Sequence, residues 1–289
     1  MIQKNPPEEA MTMKIFDCHI HARNTKPDPV LLLERMDEAG VYGGCIFSTR
    51  PQRYNGSTGI SLDARVEELT LWTKGYESKL IPVLWIHPYE TDVVEYIRRA
   101  KELGIRAFKI ICNDFFIYEA KCLKVMEEVA RTGLPMFFHS GILYPSKEAY
   151  SLCSSQYNRP LNWEAMINVP ALRFSMGHCS WPWMDECIAL WGEVNSFRED
   201  GTSTTQLFLD ATPGAHGCYR DDLFKKIYTL GWGMENDVMF GRDTNADDYD
   251  VRWTKDLIAQ DTAILNGLGV TEEQKQQYFR DNLMRFLGK

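Results

Sequence analysis

The chain has 289 residues, 44% of them hydrophobic and 25% charged, the balance of an ordinary soluble globular chain of one or two domains. That length buries a core without a disulfide or a structural metal. A formal net charge of −8 argues against broad electrostatic binding to nucleic acid or an anionic membrane, and leaves a local basic pocket open.

Residues 1–13 contain Pro6, Pro7, Glu8 and Glu9 and no apolar core. They read as a flexible extension and not as a secretory signal. From residue 14 to 289, short apolar runs alternate with longer helical patterns. The predicted strands are Lys14–Cys18, Gly44–Ser48, Ile81–Ile86, Ala107–Cys112, Pro135–Phe138, Leu172–Met176, Gln206–Leu209 and Val238–Phe240. Helices are predicted over Pro29–Ala39, Leu62–Tyr76 with Ser61 as N-cap, Val93–Leu103, Ala120–Arg131, Met184–Trp191, Asp222–Leu230, Asp250–Leu265 and Glu272–Phe286. Strand ends recur about every 32 residues, the size of a βα unit. Eight such units without a linker predict a single α/β domain, a (β/α)8 TIM-type barrel. An open doubly wound sheet is the alternative, because periodicity does not show closure. No run of apolar residues is long enough to span a membrane. The eight cysteines form no C-x-x-C pair and read as reduced thiols of a cytoplasmic protein.

The chemistry gathers at the strand ends. Asp17-Cys18-His19-Ile20-His21 closes the first strand. Alternation predicts Asp17, His19 and His21 on one face, where two imidazoles can grip one metal ion. Chance capping of a strand end is the other reading of H-x-H alone. Of only six histidines, His139 and His178 also end predicted strands, as does His87, and Asp243 follows the last strand. In a barrel these positions meet at the carboxyl end of the strands, where active sites lie. Several imidazoles and a carboxylate there suit zinc or a similar divalent ion.

With these motifs, Phe138-His139-Ser140-Gly141, Met176-Gly177-His178, Phe240-Gly241-Arg242-Asp243 and the terminal Asn282-Leu283-Met284-Arg285-Phe286, the chain resembles the amidohydrolase superfamily over nearly its whole length. The resemblance is to the amidohydrolase-related branch, which includes aminocarboxymuconate-semialdehyde decarboxylase and 2-pyrone-4,6-dicarboxylate lactonase. It implies His19, His21 and His139 as metal ligands. It implies Asp243 as a ligand or as the acceptor of a proton from metal-activated water. His178 would orient or polarise the substrate, or serve as general base. One Zn2+ is expected, with Mn2+ or a second metal as alternatives. Lys109 in the fourth strand has two readings: a carbamylated bridge between two metals, or an amine that binds an oxyanion or pairs with an acid.

Arg50 and Arg53, after the second strand, are either solvated or hold a substrate carboxylate. Trp181 is either a pocket wall or loop packing. Cys179 reads as a passive small residue, and His87 and His216 as surface residues or as supports behind the ligands. Asp247, Asp248 and Asp250 read as helix caps, and 142–161 as a rim or lid. The expected activity is metal-dependent hydrolysis of a small ester, lactone or amide that carries a carboxylate. A non-oxidative decarboxylase (a lyase) on the same site and a non-catalytic metal-binding barrel are the alternatives. The expected partners are a small-molecule substrate and, as the commonest closed assembly, a second copy in a homodimer.

Overall fold

The computed structural model describes residues 13–23, 26–54, 59–144, 154–214 and 219–289. The expected extension before residue 13, His216, and residues 145–153 of the long loop lie outside them.

The apolar runs form parallel strands: β1 (Ile15–His21), β2 (Val41–Phe47), β3 (Leu80–Trp85), β4 (Ala107–Ile110), β5 (Met136–Phe138), β6 (Arg173–Met176), β7 (Gln206–Asp210), β8 (Val238–Met239) and β9 (Thr244–Asn245). Each strand from β1 to β7 pairs with its successor, and β9 pairs with the remaining side of β1. β8 and β9 are two halves of one interrupted strand. Between them the Phe240 carbonyl accepts from the Cys18 amide at 3.0 Å, so the sheet closes on itself. That closure corrects the open-sheet alternative, since an open sheet would leave an edge of β1 unpaired. The fold is the (β/α)8 barrel.

The helices that follow are α1 (Pro29–Glu38), α2 (Leu62–Thr73), α3 (Val93–Arg99), α4 (Ala120–Thr132), α5 (Met184–Glu199), α6 (Arg220–Thr229) and α7 (Val251–Gly267). The chain ends in α8 (Glu272–Gln276), a π turn over Gln277–Asp281, and α9 (Asn282–Leu287). Ser61 caps α2 by accepting from the Ala64 amide, and Asp250 caps α7 by accepting from the Trp253 amide. α5 runs two turns past its expected stop at Trp191. Gly192 does not end it; a Cβ there would come within 3.1 Å of the Trp232 ring. No helix among the described residues is long and apolar enough to cross a membrane.

The strands are buried on both faces, as a barrel requires. Between sheet and helices lies one core, with Leu32, Leu69, Ile97, Val125, Leu190 and Phe224 in it. Inside the barrel lies a second, with Phe16, Cys18, Cys45, Phe47, Phe137, Phe208 and Met239. Leu283, Phe286 and Leu287 of α9 join this inner core and plug the amino end of the barrel. Asn282 Nδ2 fastens the plug, donating to the Val238 carbonyl at 2.8 Å. The polar strand ends are thereby left to the opposite, carboxyl end.

Candidate metal centre

The first strand does not alternate as expected. Asp17 stands opposite Gly44 and Ile20 opposite Ile46, so Cys18 and His19 share the one position of Cys45. This is a β-bulge. It turns two successive side chains inward: Cys18 packs in the inner core, and the His19 ring lies 4.7 Å from that of Phe47. His21 also faces in, its ring 5.2 Å from Phe47. Asp17 is turned away from them. Its carboxylate accepts from the amides of His19 (3.0 Å) and Arg242 (2.9 Å) and from the Tyr249 hydroxyl (3.2 Å). Burial pushes that carboxyl up to about 7, against these hydrogen bonds. Asp17 thus ties the bulge to the loop that carries Asp243. Gly44 makes room for it, since a Cβ there would stand 2.5 Å from the Asp17 carbonyl oxygen.

Two imidazoles and a carboxylate meet beyond the bulge. One ligand atom each from His19, His21 and Asp243 lie within 4.8 Å of one another. Asp243 Oδ1 is 3.7 Å from His19 Nε2 and 3.5 Å from His21 Nε2. On its other side, Oδ2 is 4.0 Å from His178 Nε2. Asp243 reaches this place with a φ of 53°, in the left-handed region. His178, Cys179 and Ser180 form a left-handed run, with φ of 58°, 42° and 61°. Such backbone costs about 1–3 kcal/mol per residue and persists only where its surroundings hold it. Here the Trp181 amide donates to the His178 carbonyl at 3.0 Å, and the Ser180 and Ser140 hydroxyls share a 2.6 Å hydrogen bond.

The end of β7 and the turn after it supply two residues that the sequence does not single out. Asp210 Oδ2 is 2.6 Å from His19 Nδ1, and Asp210 Oδ1 accepts from the Thr212 amide at 2.9 Å. Thr212 Oγ1 is in turn 3.1 Å from His178 Nδ1. A carboxylate on Nδ1 fixes the His19 tautomer and leaves the Nε2 lone pair facing the cluster. Burial, helped by the Lys109 charge, lowers His19 to about 4, so the imidazole is neutral. Burial likewise lowers His21, and it lowers His139 far more, with His178 adding to the effect. Burial opposes the charge on Asp243, but His19 and His21 outweigh it and hold the carboxyl well below its usual range. Neutral imidazoles beside an ionised carboxylate are the protonation states that metal ligands need.

Lys109 in β4 is buried, its Nζ 3.4 Å from His19 Nε2 and 4.9 Å from the Phe47 ring centre. Burial brings its amine down to about 8. His139 stands beside the cluster, its ring 4.9 Å from that of His178. Its Nε2 is buried with no hydrogen-bond partner among the described residues. Arg50 is half-buried at the end of β2. Arg53 is exposed and turns to Tyr89, 5.3 Å from the ring centre, on a cavity of about 400 Å³ that it shares with Gln52, Asp63 and Tyr96. Trp181 sits at the rim, 5.6 Å from the Tyr219 ring. Cys179 donates its S–H to the Asp210 carbonyl, and burial pushes its thiol far up, which suits a passive residue. His87 is no surface residue. It is buried, with Nε2 3.3 Å from Asp114 and Nδ1 accepting from the Tyr89 amide.

These residues fit a divalent metal ion. The donors are imidazole nitrogen and carboxylate oxygen, the set that zinc takes. An orphaned buried nitrogen such as His139 Nε2 costs about 1–3 kcal/mol, and a cation is a partner that satisfies it.

No protein-family model matches the chain, and no curated protein matches it in sequence. Solved structures match in shape. A probable 2-pyrone-4,6-dicarboxylic acid hydrolase from Acinetobacter baumannii, with citric acid bound, superposes with a TM-score of 0.63 at 11% identity, over 96% of this chain and 100% of that one. A putative amidohydrolase from Staphylococcus aureus gives a TM-score of 0.66 at 16% identity, over 96% and 100%. Amidohydrolase 2 from Bifidobacterium longum subsp. infantis gives 0.55 at 13% identity, over 96% and 99%. From β1 to α9 the chain therefore has the fold of the amidohydrolase-type (β/α)8 barrels.

Proposed function

We propose that this chain is a metal-dependent hydrolase of small esters, lactones or amides that carry a carboxylate. The observation that carries the reading is the convergence of His19, His21 and Asp243 within 4.8 Å, with His178 on the far side of Asp243. His19, His21 and Asp243 would hold the ion, with His139 as a further donor. When bound, zinc or a similar ion brings the pKa of water toward 7 and polarises a carbonyl.

The chain's own residues do the rest. Asp210 keeps the ring proton on His19 Nδ1. Asp243 is ionised and accepts at Oδ2 the proton that the attacking water gives up. His178 is held at Nδ1 by Thr212. With the Thr212 hydroxyl donating there, the ring proton sits on Nε2, ready for the oxygen that gains negative charge. Lys109 and Arg50 supply cations for a substrate carboxylate, and Trp181 a flat wall. The citric acid bound in the A. baumannii structure supports an acid as the substrate class.

The test is turnover of a panel of small esters, lactones, amides and acids by the zinc-loaded chain in ¹⁸O water. Uptake of ¹⁸O into the product is expected. Release of carbon dioxide without ¹⁸O uptake would make the chain a lyase. No turnover at all would favour a binding barrel.

A further inference from the structure

Behind the metal centre, three buried residues from three separate elements meet in a cluster that the proposed chemistry does not use. Arg220 opens α6, Asp261 lies in α7 and Tyr278 lies in the π turn. Arg220 Nε donates to Asp261 Oδ1, and its second terminal nitrogen donates to Asp261 Oδ2 at 2.7 Å. The Tyr278 hydroxyl donates to Asp261 Oδ2 at 2.8 Å and accepts from Arg220 at 3.2 Å.

Two tethers leave this cluster. The remaining Arg220 terminal nitrogen donates to the Ala211 carbonyl at 2.8 Å. Ala211 lies between Asp210, which holds His19, and Thr212, which holds His178. The Tyr278 carbonyl accepts from the Phe240 amide at 3.1 Å, and Phe240 leads into the loop that ends at Asp243. The π turn makes this second tether available. In it the Asn282 amide reaches back five residues to the Gln277 carbonyl, and the Tyr278 carbonyl turns to β8.

A buried ion pair adds little net stability over apolar side chains of the same volume. What it adds is direction. The geometry points to Arg220 and Tyr278 as positioning residues that set His19, through Asp210, and Asp243 at the spacing a metal ion requires, by anchoring the backbone beside Asp210 and the strand that leads to Asp243 from one cluster. The inference rests on the metal-centre reading above and extends it to residues outside the barrel.

The experiment is zinc affinity, measured by chelator competition on the full chain, for wild type, Tyr278→Phe and Arg220→Lys, beside the unfolding of each metal-free protein. Tyr278→Phe removes only the hydroxyl and leaves the Arg220–Asp261 pair. Arg220→Lys keeps a charge for Asp261 but gathers its donors on one nitrogen, without the fork that spans Asp261 and the Ala211 carbonyl. Each variant is expected to bind zinc about tenfold more weakly, the low end of what losing an outer partner costs. Should one variant not fold, the other carries the test. Wild-type affinity in a folded variant, whatever its unfolding midpoint, would make the cluster purely structural and overturn the proposal. A wild-type chain that binds no zinc would overturn the metal centre itself, and this proposal with it.

Discussion

The two ends of the barrel bend the chain by different means. At the amino end, Gly40 enters β2 with a φ of 81° and Gly133 enters β5 with 70°. A Cβ at either would meet nothing within 4 Å, so only the backbone angle calls for glycine. At the carboxyl end the same left-handed region holds His178, Cys179, Ser180 and Asp243. A residue with a side chain costs about 1–2 kcal/mol there. Glycine would avoid that cost, but it has no imidazole or carboxylate to present. The amino end is therefore built for stability and the carboxyl end for the side chains it displays.

Four substitutions press on that contrast. The largest effect is expected from Phe286→Ala in the plug. It should cost about 3–5 kcal/mol in chemical denaturation, as large cavities in cores do. Zinc affinity of the folded fraction should stay at the wild-type value; a parallel loss of affinity would mean the two ends are not separable. Next is the pH dependence at His87, which burial lowers to about 4 despite Asp114. Its folded value lies below its unfolded value near 6.5. The stability it contributes is thus full above about pH 6.5 and is lost as the pH falls through about 4, on the order of 3 kcal/mol in all. Denaturation of His87→Asn at pH 7 and pH 4 should show a smaller loss than wild type between the two. Equal losses would reject a neutral, buried His87.

Asp210→Asn comes third. It removes the negative charge and one of the two acceptor oxygens that His19 and the Thr212 amide use, so the His19 tautomer is no longer firmly fixed and zinc affinity should fall about 10–100-fold. An unchanged affinity in chelator competition would leave His19 needing no such support. The smallest effect is expected from Ala171→Gly, at the amino end before β6. Ala171 is exposed and has a φ of 64°, the one described strand entry that uses a side chain where glycine serves elsewhere. Relief of that backbone should raise stability by about 0.5–1 kcal/mol, with no change in zinc affinity. A loss of stability would show that the Ala171 methyl does more than strain the turn.

Much of this architecture was legible in the sequence. The apolar runs gave the barrel strands, because strands buried on both faces have no polar partner to hide among. The histidines and Asp243 stood out because they end those runs. Asp17 did not follow the expected alternation, since a bulge depends on the partner strand: it needs Gly44 opposite, and one strand's pattern cannot show that. Asp210 and Thr212 lie just past the predicted strand Gln206–Leu209 and are not singled out by it, although a carboxylate at a strand end is the same signal that marks Asp243. The predicted helix stops at Trp191, before Gly192, because the reason for that glycine, the Trp232 ring, is 40 residues away in sequence. Arg220, Asp261 and Tyr278 sit in helical segments of ordinary composition, and only the fold brings them together.

The central claim is that His19, His21 and Asp243 hold one divalent metal ion. The most direct measurement is the metal content of the full chain, purified without chelator, beside that of a His19→Ala/His21→Ala double variant. One equivalent per chain in the wild type and none in a folded double variant is the expected result. No metal in the wild type, an equivalent retained by the double variant, or two equivalents with a carbamate on Lys109 would each contradict it.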